Sequence, residues 1–397
     1  TRVVFLVEAP LGRRDYMRFG IGPLQTEGFD VSVIDLTSLL QPAMSRGDAP
    51  EEVGVEIRRP ETMIGAAELV AGLVNPETMF VCLLGYRRGA LAIFRALGSR
   101  ARYALLATNA VPYGNVVPRA SMVSHRVLQL RATDWVGALV SRLPIGLLGI
   151  GPAELVIAGG ERSLTPFETR LAGPNTRVLW AHALDYDLFM AAGGESDPPE
   201  AKHIVFLDQF FEGHPDQWQR AEPFCDPKTY YPNLVRAFDD VERRLALPVV
   251  IAAHPRADYE DQDPRFGGRE VVFGRTLDLV RGARLVLAHD STSVGMAVHF
   301  EKPVCFITDD GVQRSRVRRE SAQFMADWLG RPIHNLDGPA FPKWDRELEF
   351  DDKRYRAYRR AFLKTDRSPE LPSWKIFSEY LRGRAKVEAF GRLRFQQ

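Results

Sequence analysis

The stretch Ala283 to Thr308, ARLVLAHDSTSVGMAVHFEKPVCFIT, limits what this chain can fold into more than any other. Arg284 to His289 reads as a short buried strand. Asp290-Ser291-Thr292-Ser293 then supplies small polar side chains where a helix begins, and Pro303 precedes a second apolar run, Val304 to Thr308. Strand, hydroxyl-rich turn, helix and strand in that order form a parallel unit, because parallel neighbours need a crossover. A turn of this kind at the carboxyl end of a strand is expected to aim free backbone N–H groups and a positive helix end outward, a place suited to phosphate. Upstream, Ala252-Ala253-His254-Pro255-Arg256 ends another apolar strand in a matching position.

The same alternation runs through the chain. Strands are predicted at Val3 to Val7, Val31 to Leu36, Met79 to Leu84, Tyr103 to Ala107, Leu155 to Ala158 and Val178 to Ala181, with helices between them over Asp15 to Glu27 and Thr62 to Val74. After the polar linker AAGGESDPP the pattern resumes: strands at Ile204 to Leu207, Val249 to Ala253, Val271 to Phe273, Leu285 to Ala288 and Val304 to Ile307, and helices at Tyr230 to Leu245, Thr292 to Phe300 and Val317 to Trp328. Continuous apolar strands imply sheets covered on both faces. The expected fold class is α/β, with two doubly wound, Rossmann-like domains facing across a cleft and helices at the C-terminus. The expected domains are residues 1–190, 200–335 and a basic helical tail over 336–397.

At 397 residues and 45% hydrophobic the chain can bury two ordinary cores. It has no apolar run of roughly eighteen residues, and its opening Thr-Arg-Val-Val-Phe-Leu-Val-Glu reaches a charge too soon for a secretion signal, so a cytoplasmic protein is expected. Cys82, Cys225 and Cys305 are far apart and read as reduced, buried thiols. The net charge of +1 hides an asymmetry: from Val312 onward there are 20 Lys and Arg against 12 Asp and Glu, and before it 32 against 39. In DDKRYRAYRRAFLK, from Asp351, the basic residues interleave with apolar ones at helical spacing. A solvated face packed back on the body explains this, and peripheral contact at the inner face of a membrane is the sharper reading. No nucleic-acid motif accompanies the charge.

Several strand ends carry chemistry. His254, pinned by Pro255, can donate to a phosphate oxygen, and Ser291, Thr292 and Ser293 stand at a neighbouring strand end. Arg256 and Arg275 are possible phosphate partners, and Asp290 reads as a helix cap. Asp208-Gln209 and His214, after the first strand of the second domain, are candidates for substrate contact, as is Arg13. Glu8 and Asp15 follow the first strand of the chain. Either could serve as the base that deprotonates a hydroxyl, or could satisfy backbone N–H groups instead. No GxGxxG, P-loop, HExxH or tight His/Cys set occurs, so neither a dinucleotide cofactor nor a metal is expected.

On His254-Pro255 and Ser291-Thr292-Ser293, the region from Ala201 to Asp309 resembles the nucleotide-binding domain of GT-B glycosyltransferases, most closely bacterial enzymes of surface polysaccharide synthesis that use CMP-activated sialic acid or Kdo. The resemblance implies that the His-Pro pair and the Ser/Thr turn hold the phosphate of a CMP-sugar donor, that the acceptor is a glycan or lipid-linked glycan, and that no metal is required. The acid-acid-Gly motif of those families is not found upstream, and Asp309-Asp310-Gly311 comes too late for it. A second resemblance, to UDP-GlcNAc 2-epimerases and UDP-sugar transferases, rests on the His-Pro turn and Lys302-Pro303. Those proteins carry a glutamate in the intervening helix for the ribose, where this chain has Val294, Gly295, Met296 and Ala297. A non-catalytic glycan- or membrane-binding protein on a transferase fold is the reading from another class.

Overall fold

A computed structural model describes residues 1–42, 54–86, 88–108, 143–164, 166–194, 200–213, 224–383 and 390–392. The chain divides into two compact units, the first ending at Leu184 and resuming at Lys364, the second spanning Asp185–Leu363.

In the first unit, β1 (Arg2–Val7), β2 (Asp30–Asp35), β3 (Glu56–Arg58), β4 (Thr78–Leu83), β5 (Arg102–Ala107), β6 (Ala153–Ala158) and β7 (Ala172–Trp180) form a parallel sheet. The strand β14 (Phe390–Arg392) adds to the β7 edge in antiparallel sense, giving the order β14-β7-β6-β5-β4-β1-β2-β3. Val3 to Leu6 are fully buried, as a strand covered on both faces requires. The chain leaves β1 toward β2 and β3, then returns to the other side of β1 with β4, so the connections reverse direction there.

The second unit repeats the plan. Its strands are β8 (His203–Leu207), β9 (Val249–Ala252), β10 (Val271–Val272), β11 (Ala283–Ala288), β12 (Val304–Thr308) and β13 (Ile333–Asn335), ordered β10-β9-β8-β11-β12-β13 and all parallel. The reversal falls between β8 and β11, the position where doubly wound sheets open a crevice at their carboxyl ends. The helix Pro227–Leu245 starts on Asp226, whose carboxylate accepts the Lys228 N–H, with Pro227 as its first residue. Its Tyr230, Leu234, Phe238 and Val241 face a core with Phe206, Phe211, Phe224 and Phe266.

The predicted helix Asp15 to Glu27 is in fact two, Arg13–Arg18 and Ile21–Thr26, broken at Gly20 in the left-handed region with φ of 72°. The cause lies far along the chain. Trp374, on the helix Ser373–Leu381, lies against Gly20, and its Nε1–H donates to the Arg18 carbonyl at 2.8 Å. The helix Asp352–Tyr358 and the turn after it bury Tyr355, Tyr358, Phe362 and Leu363, so the apolar side of the basic tail is packed on protein. Among the described residues no helix is long and apolar enough to cross a membrane.

A Cβ at Gly20 would fall 2.0 Å from the Trp374 ring in a backbone conformation that L side chains avoid. Gly20→Ala should therefore lower the unfolding free energy by about 2–4 kcal/mol, measurable by urea denaturation, against about 0.5 kcal/mol for an ordinary exposed site.

Candidate functional site

The carboxyl ends of β8, β9 and β11 are tied together by two consecutive residues. Asp208 follows β8, and its Oδ2 accepts the backbone N–H of His254, just past β9, at 3.3 Å. Gln209 comes next, and its Oε1 accepts the backbone N–H of Asp290, just past β11, at 3.1 Å. Both side chains are buried. Asp208 and Gln209, candidates for substrate contact from sequence, thus join the two loops that carry His254 and Ser291 to Ser293.

His254 is half-buried at the head of a turn closed by the Ala257 N–H on its carbonyl, 3.0 Å, with Pro255 and Arg256 exposed. Its Nδ1 accepts the Arg256 N–H at 3.2 Å. A ring nitrogen that accepts a hydrogen bond carries no proton, so the neutral imidazole is protonated at Nε2.

The hydroxyl turn differs from expectation. The Ser293 N–H donates to Ser291 Oγ at 3.2 Å, and those of Val294, Gly295 and Met296 donate to the carbonyls of Ser291, Thr292 and Ser293. The amides of Ser293 to Met296, among those expected to point outward, are therefore occupied, and the helix Val294–His299 is short and wholly buried. What the turn offers is hydroxyls: Thr292 is exposed, and Ser291 and Ser293 are half-buried. Asp290 does not cap this helix either. Its buried carboxylate faces Arg318 Nη1 at 3.2 Å, and that guanidinium lies over Phe211 and Phe224. Burial pushes Asp290 up, while Arg318 pulls it down.

Further groups stand along this edge. Phe273 follows β10, which pairs with the strand leading to His254, and is 39% exposed. Arg275 instead pairs with Asp278, 3.2 Å, on the surface. Asp309, at the end of β12, is buried, and its Oδ1 accepts the Val312 N–H at 2.7 Å. Among the described residues its Oδ2 meets no donor. Burial, with Asp337 and Asp310 nearby, pushes its pKa up. His289 is a core residue, held neutral with its pKa pushed down to about 4 by burial, between the Tyr230 hydroxyl and the Ile307 carbonyl. His214 lies outside the described residues.

In the first unit Glu8 follows β1 at that sheet's own reversal, its Oε1 3.3 Å from Gln41 Nε2 and 3.4 Å from where a Cβ on Gly85 would stand. Asp15 lies in the first turn of its helix and Arg13 is exposed. His182, at the end of β7, is buried against Ser373 Oγ, 3.0 Å, and the Leu371 carbonyl, 2.8 Å, and so fastens the C-terminal segment.

The three cysteines are free and buried. Cys305, His334 and Glu347 come close enough together to hold an ion. Glu347, however, already pairs with the Arg331 guanidinium and His334 Nε2, and that positive charge opposes a cation.

No protein-family model matches the sequence, and no curated protein matches it. Among solved structures the chain is similar to CalG4, the calicheamicin glycosyltransferase, with 13% identity over 97% of this chain and 99% of that one and a TM-score of 0.52. Looser likenesses are to a putative UDP-N-acetylglucosamine 2-epimerase from Listeria monocytogenes, 10% identical over 96% and 95% with a TM-score of 0.48, and to S. aureus MnaA in its UDP co-structure, 9% identical over 97% and 98% with a TM-score of 0.47. At such identity the likeness to CalG4 is one of fold. The chain has the GT-B-like fold of two Rossmann-like units.

Burial pushes the Asp208 carboxyl up to about 6 against the pull of the Phe210 and His254 amides. A folded pKa above the unfolded 3.8 means that protonation favours the folded state, a gain present at low pH and lost as pH rises through about 6. Wild type should therefore gain on Asp208→Asn by up to about 1.4 kcal/mol per unit as pH falls from about 6 to 3.8 and level off below that, read from paired denaturation curves; a gap independent of pH would contradict the burial of this charge.

Proposed function

We propose that this protein is a glycosyltransferase that takes its sugar from a nucleotide-activated donor held at the carboxyl edge of the second unit's sheet. The observation that carries the reading is the joining of the His254 and Ser291 to Ser293 loops by Asp208 and Gln209 at the strand reversal, where folds of this type bind nucleotides. His254, through its Nε2–H, and the hydroxyls of Thr292 and Ser293 would donate to the donor phosphate, with Arg256 adding charge from the same turn. Phe273 offers a face on which a base can stack. In the transfer, the bond from the anomeric carbon to the phosphate oxygen breaks and one to the acceptor oxygen forms. Negative charge grows on the departing nucleotide, and donors placed there lower the barrier. The acceptor hydroxyl must lose a proton, and we assign Glu8 to take it, with Asp15 as the alternative.

The finer reading from the sequence resemblance is a CMP donor carrying Kdo or a sialic-acid-like sugar, with a surface glycan as acceptor. A UDP-sugar is the second reading, and it rests on the His254-Pro255 turn and on Lys302-Pro303.

Thermal shift with CMP, UDP and GDP tests the site. One of the pyrimidine nucleotides should raise the melting temperature. His254→Ala should abolish that shift and lower transfer at least about a hundredfold, while moving the unliganded melting temperature by no more than about 2 °C. A protein stabilised by glycans or liposomes but by no nucleotide would instead be a binding protein. Isomerisation of a free nucleotide sugar without acceptor would make it an epimerase.

A further inference from the structure

Phe210 is a bulky residue in the left-handed region, with φ of 50°, one position after Gln209. Side chains of this size avoid that conformation, and where it persists the surroundings enforce it. Its N–H donates to Asp208 Oδ1 at 3.1 Å, and its carbonyl accepts the Gly213 N–H at 3.1 Å. Gly213 is also what admits the ring, since a Cβ there would stand 2.3 Å from two ring carbons. The ring so placed meets Tyr259 edge-on at 5.5 Å and lies nearly parallel to the His254 imidazole, 6.4 Å between centroids and 22° between planes.

The Asp208 carboxylate therefore serves both rings, one oxygen on the Phe210 amide and the other on the His254 amide. Glycine in place of Phe210 would relieve the backbone and lose the stack, so what the conformation obtains is the ring. On the other side of the pair, the Arg256 amide at Nδ1 holds only while the imidazole keeps its present rotation.

We propose that Phe210 is a positioning residue: with the Arg256 amide, its stacked ring holds His254 in one orientation and in the Nε2–H tautomer. That this donor serves a nucleotide phosphate rests on the function proposed above; the positioning itself does not.

The test is a long-range ¹H–¹⁵N spectrum of protein labelled at the histidine rings, recorded near pH 8 so that the ring is neutral, with His254 assigned by loss of its signals in His254→Gln. Wild type should show the Nε2–H tautomer alone. Phe210→Leu should show averaging between tautomers, and so should Gly213→Ala, which displaces the ring without touching Phe210. Phe210→Tyr, which keeps the stack, should restore the wild-type spectrum. In titration calorimetry with UDP and with CMP, the leucine variant should bind whichever nucleotide wild type binds about five- to tenfold more weakly, and the tyrosine variant normally. A wild-type tautomer pattern in both Phe210→Leu and Gly213→Ala would overturn the proposal, as would failure of Phe210→Tyr to restore it. The spectrum needs no ligand, so a wild type that binds neither nucleotide would count against the function and leave the positioning result standing.

Discussion

Two hydrogen bonds from adjacent side chains at the end of one strand organise the second unit's open edge. β8 has β9 on one side and β11 on the other, and the loops that follow those neighbours are far apart in sequence. Asp208 and Gln209 reach one loop each and accept a backbone N–H from it. Because both acceptors are buried, losing either would leave an amide or carboxylate unsatisfied out of water, a penalty larger than the bond's own net contribution. The placing of His254 relative to the Ser291 to Ser293 turn follows from the rigidity of this pair.

The electrostatics around that edge are acidic as well as basic. Asp208, Asp290 and Asp309 stand buried at the ends of β8, β11 and β12, and burial raises the pKa of each. Arg318 offsets Asp290, and amides serve Asp208. Under the proposed function an anionic ligand here would be held by hydroxyls and an imidazole N–H more than by net positive charge, an arrangement that would select by hydrogen-bond geometry. Such a site exploits groups fixed before the ligand arrives, and the Asp208 carboxylate fixes two of them, the Phe210 and His254 backbones.

Much of the fold was legible because buried parallel strands are near-continuous apolar runs, as in Val3 to Val7 or Leu285 to Ala288. β3, β13 and β14 escaped because each is a three-residue edge strand with partly exposed or polar residues, such as Glu56-Ile57-Arg58, held by one neighbour only. The break at Gly20 depends on Trp374, and no local window contains both. At the candidate site, residue types at strand ends singled out His254, Asp208 and Gln209 as candidates, since strand ends are where polar residues interrupt apolar runs. Their partners were not legible: that the amides of Ser293 to Met296 are spent within the turn, that Asp290 faces Arg318 and not the helix, and that Phe210 takes a left-handed backbone are all outcomes of tertiary packing. Phe273 reads in sequence as one more strand residue, and only its exposure just after β10 sets it apart.

The central claim is that the end of β8 and its two neighbouring loops form the nucleotide site. A crystal structure of the protein soaked with UDP and, separately, with CMP tests this most directly. The account predicts, for the nucleotide that binds, a phosphate within hydrogen-bond distance of His254 Nε2 and of a hydroxyl on Thr292 or Ser293, roughly 2.7–3.2 Å. A nucleotide bound elsewhere, with these groups facing only solvent, would contradict it.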